Sequence, residues 1–237
     1  MKKSKCVYMI IFILMTLSAL LTIVDIFIGM SIPTDKIPVS SLEYLELFKT
    51  NPYLGFYLLD FLNLINTLLI FTYVIILLIF VLNNHKYLRY LTLALVITGT
   101  VLFIVNHGSI QMYNLSKLYH STNNITIMAN TINKAQALLD KSAHGSLNNF
   151  FGSFILSSSN LFIVFLVFSK FKIKNSITNL GYIGYGLILT YVILITFVFD
   201  LNSFMMLLAA ISGILILIWQ LYTSIKFLKI YRLNETL

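Results

Sequence analysis

The sequence predicts an all-α fold, a six-helix transmembrane bundle with its N- and C-termini cytoplasmic. Three observations predict it. The chain has 237 residues, of which 59% are hydrophobic and only 10% charged, whereas a soluble domain carries about a quarter charged residues. The apolar residues form blocks long enough to span a bilayer, which takes about 20 residues at about 1.5 Å each. Finally, basic and acidic residues sort to opposite ends of those blocks.

The blocks are 7–30, 54–82, 91–112, 149–169, 177–199 and 203–225. In hydrocarbon every backbone N–H and C=O needs a partner within the protein, so blocks of this length are expected as helices. The shorter alternating strands of a β-barrel are absent from the sequence. The first block follows Lys2, Lys3 and Lys5 as a signal peptide would. Its apolar run is longer than the usual 7–15 residues and no small-x-small site follows, so it is expected as an uncleaved span. With no internal repeat or low-complexity tract, residues 1–237 are expected to form one integral-membrane domain.

Orientation follows from the positive-inside rule. With the N-terminus inside, the inward segments hold Lys2, Lys3, Lys5, Lys86, Arg89, Lys170, Lys172, Lys174, Lys226, Lys229 and Arg232, eleven of the sixteen basic residues. Lys36, Lys49, Lys117, Lys134 and Lys141 fall outside. Among acidic residues only Glu235 is inward, and Asp25, Asp60 and Asp200 stand at or within outer span ends. The net charge of +8 is therefore read as topology and contact with anionic lipid headgroups, not nucleic-acid binding. The expected location is the plasma membrane. Cys6, the single cysteine, excludes an internal disulfide.

Two outer loops are long. The first holds all three prolines and, in 41–48, a short amphipathic helix with Ser40 or Ser41 as N-cap. The second, 113–148, repeats Met128, Ile132, Ala135 and Leu139 at helical spacing, as expected of an amphipathic helix lying on headgroups or serving as a lid. Asp200, Leu201 and Asn202 alone join the last two spans, which predicts a tight antiparallel hairpin.

Candidate site residues cluster in the second span. Asp60, Asn63 and Thr67 share one helical face, with Asn66 at its margin. Asp60 is expected about two turns, roughly 9 Å, inside the span. An ionised Asp at a helix centre costs about 2.5–3.5 kcal/mol on insertion scales, so it should face the bundle or a vestibule. Matching polar residues are Asn106 and His107 in the third span, with Thr100 and Gln111 on the His107 face. Asn149, Ser153, Ser157 and Asn160 line the fourth. If these faces meet they form an outward polar pocket for a cation, proton or polar ligand. The other reading is a set of interhelical hydrogen-bond anchors, each about 0.6 kcal/mol. Gly181, Gly184 and Gly186, with Ala209 and Gly213, are expected to make close helix contacts. Tyr182, Tyr185, Trp219 and Tyr222 fit interfacial anchors.

Metalloprotease, serine-hydrolase and clustered metal-ligand motifs are missing, so no catalytic residue, cofactor or metal ligand is assigned, and enzyme activity is disfavoured. Asn51-Pro52 ahead of Leu59-Asp60, Leu115-Ser116 with Tyr119, Ala135 and Ala137, and 180–184 (Leu-Gly-Tyr-Ile-Gly) after a basic loop form a pattern. It resembles an uncharacterised family of small prokaryotic multi-pass membrane proteins, a domain of unknown function. The resemblance implies an integral membrane protein and supplies no activity. The leading expectation is a multi-pass protein that binds a small molecule or lipid from the outer side. The alternative is the permease subunit of a transport or bacteriocin-immunity ABC system, which would add a membrane-protein partner.

Overall fold

The computed structural model describes residues 2–32, 38–142, 146–198 and 203–233. Among them every regular element is helical and no strand occurs. The elements are α1 (Lys2–Ser31), α2 (Ser41–Thr50), α3 (Pro52–Leu58), α4 (Phe61–Ile76), α5 (Lys86–Asn106), α6 (Ser109–Ser121), α7 (Ile125–Ser142), α8 (Leu147–Phe171), α9 (Asn175–Phe197) and α10 (Ser203–Leu233). A π-helical turn, Leu77–Val81, extends α4. Six helices are long and apolar enough to cross a membrane, which makes the chain compatible with a multi-pass membrane protein. The expected 200–202 hairpin, together with Asp35, Lys36 and Glu235, lies outside the described residues.

Two apolar blocks break where the sequence reading had them continuous. The second divides at Asp60 into α3 and α4, and the third stops at Asn106 before α6 restarts at Ser109. Neither break is marked by a proline inside the block. The first is made by Asp60 in the left-handed region (φ 58°), a conformation that Asp tolerates better than most residues.

The long helices form a ring in the order α1, α10, α9, α8, α5, α4, with the α4–α5 seam the lightest contact. Glycines set the closest approaches. A Cβ on Gly152 would stand 3.1 Å from the backbone nitrogen of Phe103, and one on Gly99 would stand 3.0 Å from that of Leu156, so α5 and α8 pack backbone to backbone. Between α9 and α10, Gly184 does the same against the Ile216 backbone nitrogen at 3.1 Å, while Gly181 makes room for the Trp219 indole. Gly186 and Gly213, expected to share that contact, face open space instead.

At one end of the ring Tyr8, Phe171 and Phe227 join α1, α8 and α10, with ring centroids 5.1–6.5 Å apart. The Lys170 ammonium donates to Asn83 there, and His85 pairs with Ser169 at 2.9 Å. This basic end sits on an apolar core that includes Met15, Tyr73, Leu77, Val164 and Trp219.

The opposite end carries a cap of α2, α3, α6 and α7 around Leu45, Phe48, Met112, Ala135 and Leu138. Ser40 caps α2 by accepting from the Glu43 N–H, and the Glu43 carboxylate accepts from the Val39 N–H. Glu43, Glu46, Lys49, Lys117 and Lys134 point away from the cap core and are exposed. The fully buried Leu45 and Met112 each contribute about 1.5–3 kcal/mol by burial.

Overpacking the glycine contacts tests the ring. Gly152→Val should lower stability by about 1–3 kcal/mol, read as a fall in melting temperature in detergent. Gly186→Ala, with nothing within 4 Å of its new Cβ, should leave that temperature unchanged or slightly raised.

Candidate functional site

The chain is brought to the site by a short detour. The Asn51 side chain accepts from the Leu54 N–H at 3.1 Å, and Pro52 takes the first position of α3, where its missing N–H costs nothing. α3 is pinned to α1 by the Tyr57 hydroxyl, which donates to the Asp25 carbonyl at 2.9 Å. The left-handed turn at Asp60 then starts α4. Asp60 thus sits on the rim, at the positive end of α4, not two turns inside a helix as expected.

Below that rim lies a cavity of about 350 Å³ to which all six long helices contribute. α4 presents Asp60, Asn63 and Thr67, followed by Ile70, Phe71 and Val74. Across the ring, α8 presents Asn149, Ser153, Ser157 and Asn160. The two polar faces meet across space because α4 packs on α1 and α8 packs on α5 and α9. Thr100 of α5, 3% exposed, lines the same wall, and its hydroxyl has no hydrogen-bond partner among the described residues.

A second chamber of about 260 Å³ adjoins the first under the cap and shares Asp60, Phe103 and Asn149 with it. Tyr44 of α2 and Leu139 and Ser142 of α7 help line it, so the cap meets the bundle beside Asp60, which is itself exposed. Burial, assisted by the Asp60 carboxylate, raises the Tyr44 phenol above its ordinary value. Asn106 and His107 lie in this chamber. The Asn106 amide donates to the Asn148 carbonyl at 2.6 Å and ties α5 to α8. His107 stands beside Phe103, with its Nε2 buried and unpartnered among the described residues.

Comparison of the chain with protein-family models, curated proteins and solved structures finds no match in any of the three.

The structure therefore brings Asp60, Asn63, Thr67, Ser153, Ser157 and Asn160 to the main cavity, and Asn106 and His107 to the adjoining one. Gln111 joins neither; it lies on an exposed face of α6, beyond the break at His107. Asn66 has a structural task besides lining the cavity: it accepts from Ser18 and donates to Thr22 at 3.0 Å, both on α1. Sequence reasoning missed Thr22, Tyr185, Tyr191 and Gln220 on the cavity wall. Gln220 was the most findable, a lone amide in the apolar run of α10, and it donates to the Met15 carbonyl at 3.0 Å.

Tyr185 and Trp219 are not interfacial anchors. They are 6% and 2% exposed and meet edge to face, with ring centroids 5.9 Å apart. Their neighbours on α1 and α4 turn them inward, which periodicity in a wholly apolar helix cannot reveal.

Chemically the site offers amides, hydroxyls and one carboxylate above an aromatic and aliphatic floor. Replacing Asn66 by Leu removes two interhelical bonds and should lower stability by about 1–2 kcal/mol, measured by thermal unfolding in detergent. Thr67→Val, which leaves the Asn66 bonds to α1 intact, should change it far less.

Proposed function

We propose that this is a multi-pass plasma-membrane protein, both termini cytoplasmic, that binds a small amphiphilic molecule in a cavity opening away from the cytoplasm. The observation that carries the reading is the division of the cavity wall. Along α4 it passes from Asp60, Asn63 and Thr67 to Ile70, Phe71 and Val74, about 21 Å by helical rise. A ligand with a polar head and an apolar body satisfies both halves. The volume of about 350 Å³ is in the range of small-molecule sites.

Orientation is supported by the clustering of Lys86, Arg89, Lys170, Lys172 and Lys174 with the N-terminal end of α1 and the C-terminal end of α10, as the positive-inside rule requires. A green fluorescent protein fused after Leu237 should fluoresce, and alkaline phosphatase at the same point should be inactive. The reverse pattern would overturn the orientation.

Binding is tested by native mass spectrometry of protein extracted from its own membranes in a mild detergent. Wild type should carry an added mass that is lost when Ser157→Phe fills the cavity, with gel filtration showing that the variant remains folded. Identical spectra for wild type and a folded variant would count against a ligand site.

A further inference from the structure

Five of the six seams of the ring have a specific tie. Asn66 holds α4 to α1, and Gln220 holds α10 to α1. α5 meets α8 at Gly99 and Gly152, and α9 meets α10 at Gly184. The Phe150 and Phe197 rings join α8 to α9 with centroids 4.9 Å apart. Between α4 and α5 themselves the contact is the lightest in the ring, and no hydrogen bond or ring pair links them among the described residues. The nearest tie is in the turn that connects them, where Arg89 donates to the Leu82 carbonyl at 3.2 Å.

That seam is closed at one level and open at another. Toward the basic end, Val74, Leu77 and Val81 share a buried core with Val96, and Leu88 and Leu93 pack against it. Nearer the cap the flanks stand apart. Leu68 is two residues from Asn66 and so on the opposite flank of α4. Since Asn66 turns to α1, Leu68 turns to α5, yet it is 42% exposed. The same logic holds on α5, where Gly99 packs on α8. Val101, two residues on, turns to α4 and is 53% exposed. Ile97 and Ile104, its neighbours at four and three residues, are exposed too. Just inside this gap, Thr67 and Ile70 of α4 and Thr100 and Phe103 of α5 line the main cavity.

The mouth is apolar throughout. No charged residue occurs in 61–76 or 90–106, so between two spans the gap presents hydrocarbon to hydrocarbon and offers water little. Such a cleft suits a chain of methylenes, which gains dispersion contacts on both sides. Inside, Phe71, Val74 and Tyr185 continue the apolar surface, and Asn63 and Asn149 supply amides toward the cap. The Thr100 hydroxyl, buried and unpartnered among the described residues, is in a state uncommon in folded proteins and can bond a glycerol or ester oxygen through water or directly.

We infer that the cavity opens sideways into the bilayer between α4 and α5 and that its ligand is a membrane lipid. One acyl chain passes through the seam to lie against Phe71, Val74 and Tyr185, and the headgroup stays at the level of Asn63 and Asn149. This rests on the binding function proposed above and adds the source of the ligand and its route.

The full-length protein is reconstituted into vesicles of a phosphatidylcholine with a diazirine in the middle of one acyl chain, illuminated, and its adducts mapped by mass spectrometry. Adducts are expected on Leu68 and Val101 and also on Val74, Val96 and Thr100, none of which is more than 3% exposed. Leu68→Trp with Val101→Trp replaces only exposed side chains and fills the mouth. It should lose the adducts at Val74, Val96 and Thr100 and keep those at the outward Phe80 and Ile214. Should that variant fail to fold, the wild-type map decides alone. Adducts confined to outward residues would overturn the lateral route, while a bound mass that Ser157→Phe removes would leave the binding function standing. Absence of both would count against both. Loss of label from Leu68 and Val101 as well, in a protein that runs as a dimer, would show a second copy covering the seam and also overturn the route.

Discussion

The Asn66 amide lies between Ser18 and Thr22 of α1, and the orientation of α4 follows from that clamp. Helix association in lipid has little hydrophobic drive, so small contacts and hydrogen bonds decide which face of a helix turns inward. α4 has only a light seam with α5 on its other side. With Asn66 held by α1, the residues three before and one after it, Asn63 and Thr67, turn to the centre of the ring. The α4 side of the polar half depends on this one side chain.

The two ends of the molecule are built on different physics. At the basic end, rings and long aliphatic side chains fill the space between helices. At the other end the long helices do not close. There α2, α3, α6 and α7 form a small cap with an apolar interior and a charged exterior, the pattern of a water-exposed fold. Between them the glycine contacts hold α5 against α8 and α9 against α10. Backbones in such contact leave no layer of side chains between them, and the open volume lies where the six helices face one another.

Length and hydropathy made the six long helices legible in the sequence, because a lipid-spanning backbone has few options. The polar faces of α4 and α8 were legible too, since i, i+3 and i+7 spacing survives in any straight helix. That they meet was not, because ring order is set by tertiary contacts. The breaks at Asp60 and His107 were hidden for another reason. Neither is made by proline, and the left-handed Asp60 that makes the first lies within residues that read as apolar span. Tyr185 and Trp219 were misplaced because amphipathic residues near a span end look alike whether they face lipid headgroups or the interior. Gly99 and Gly152 went unnoticed because they sit on separate helices and only their meeting gives them meaning.

The left-handed turn at Asp60 narrows what mutation can put there. Most side chains in that backbone region are strained by about 1–2 kcal/mol, with glycine and asparagine the main exceptions. Those two keep the shape of the turn and discard the carboxylate. Glutamate keeps the carboxylate and strains the turn. Few neighbouring sequences therefore preserve both properties, and substitution at this one codon is constrained twice, by geometry and by charge.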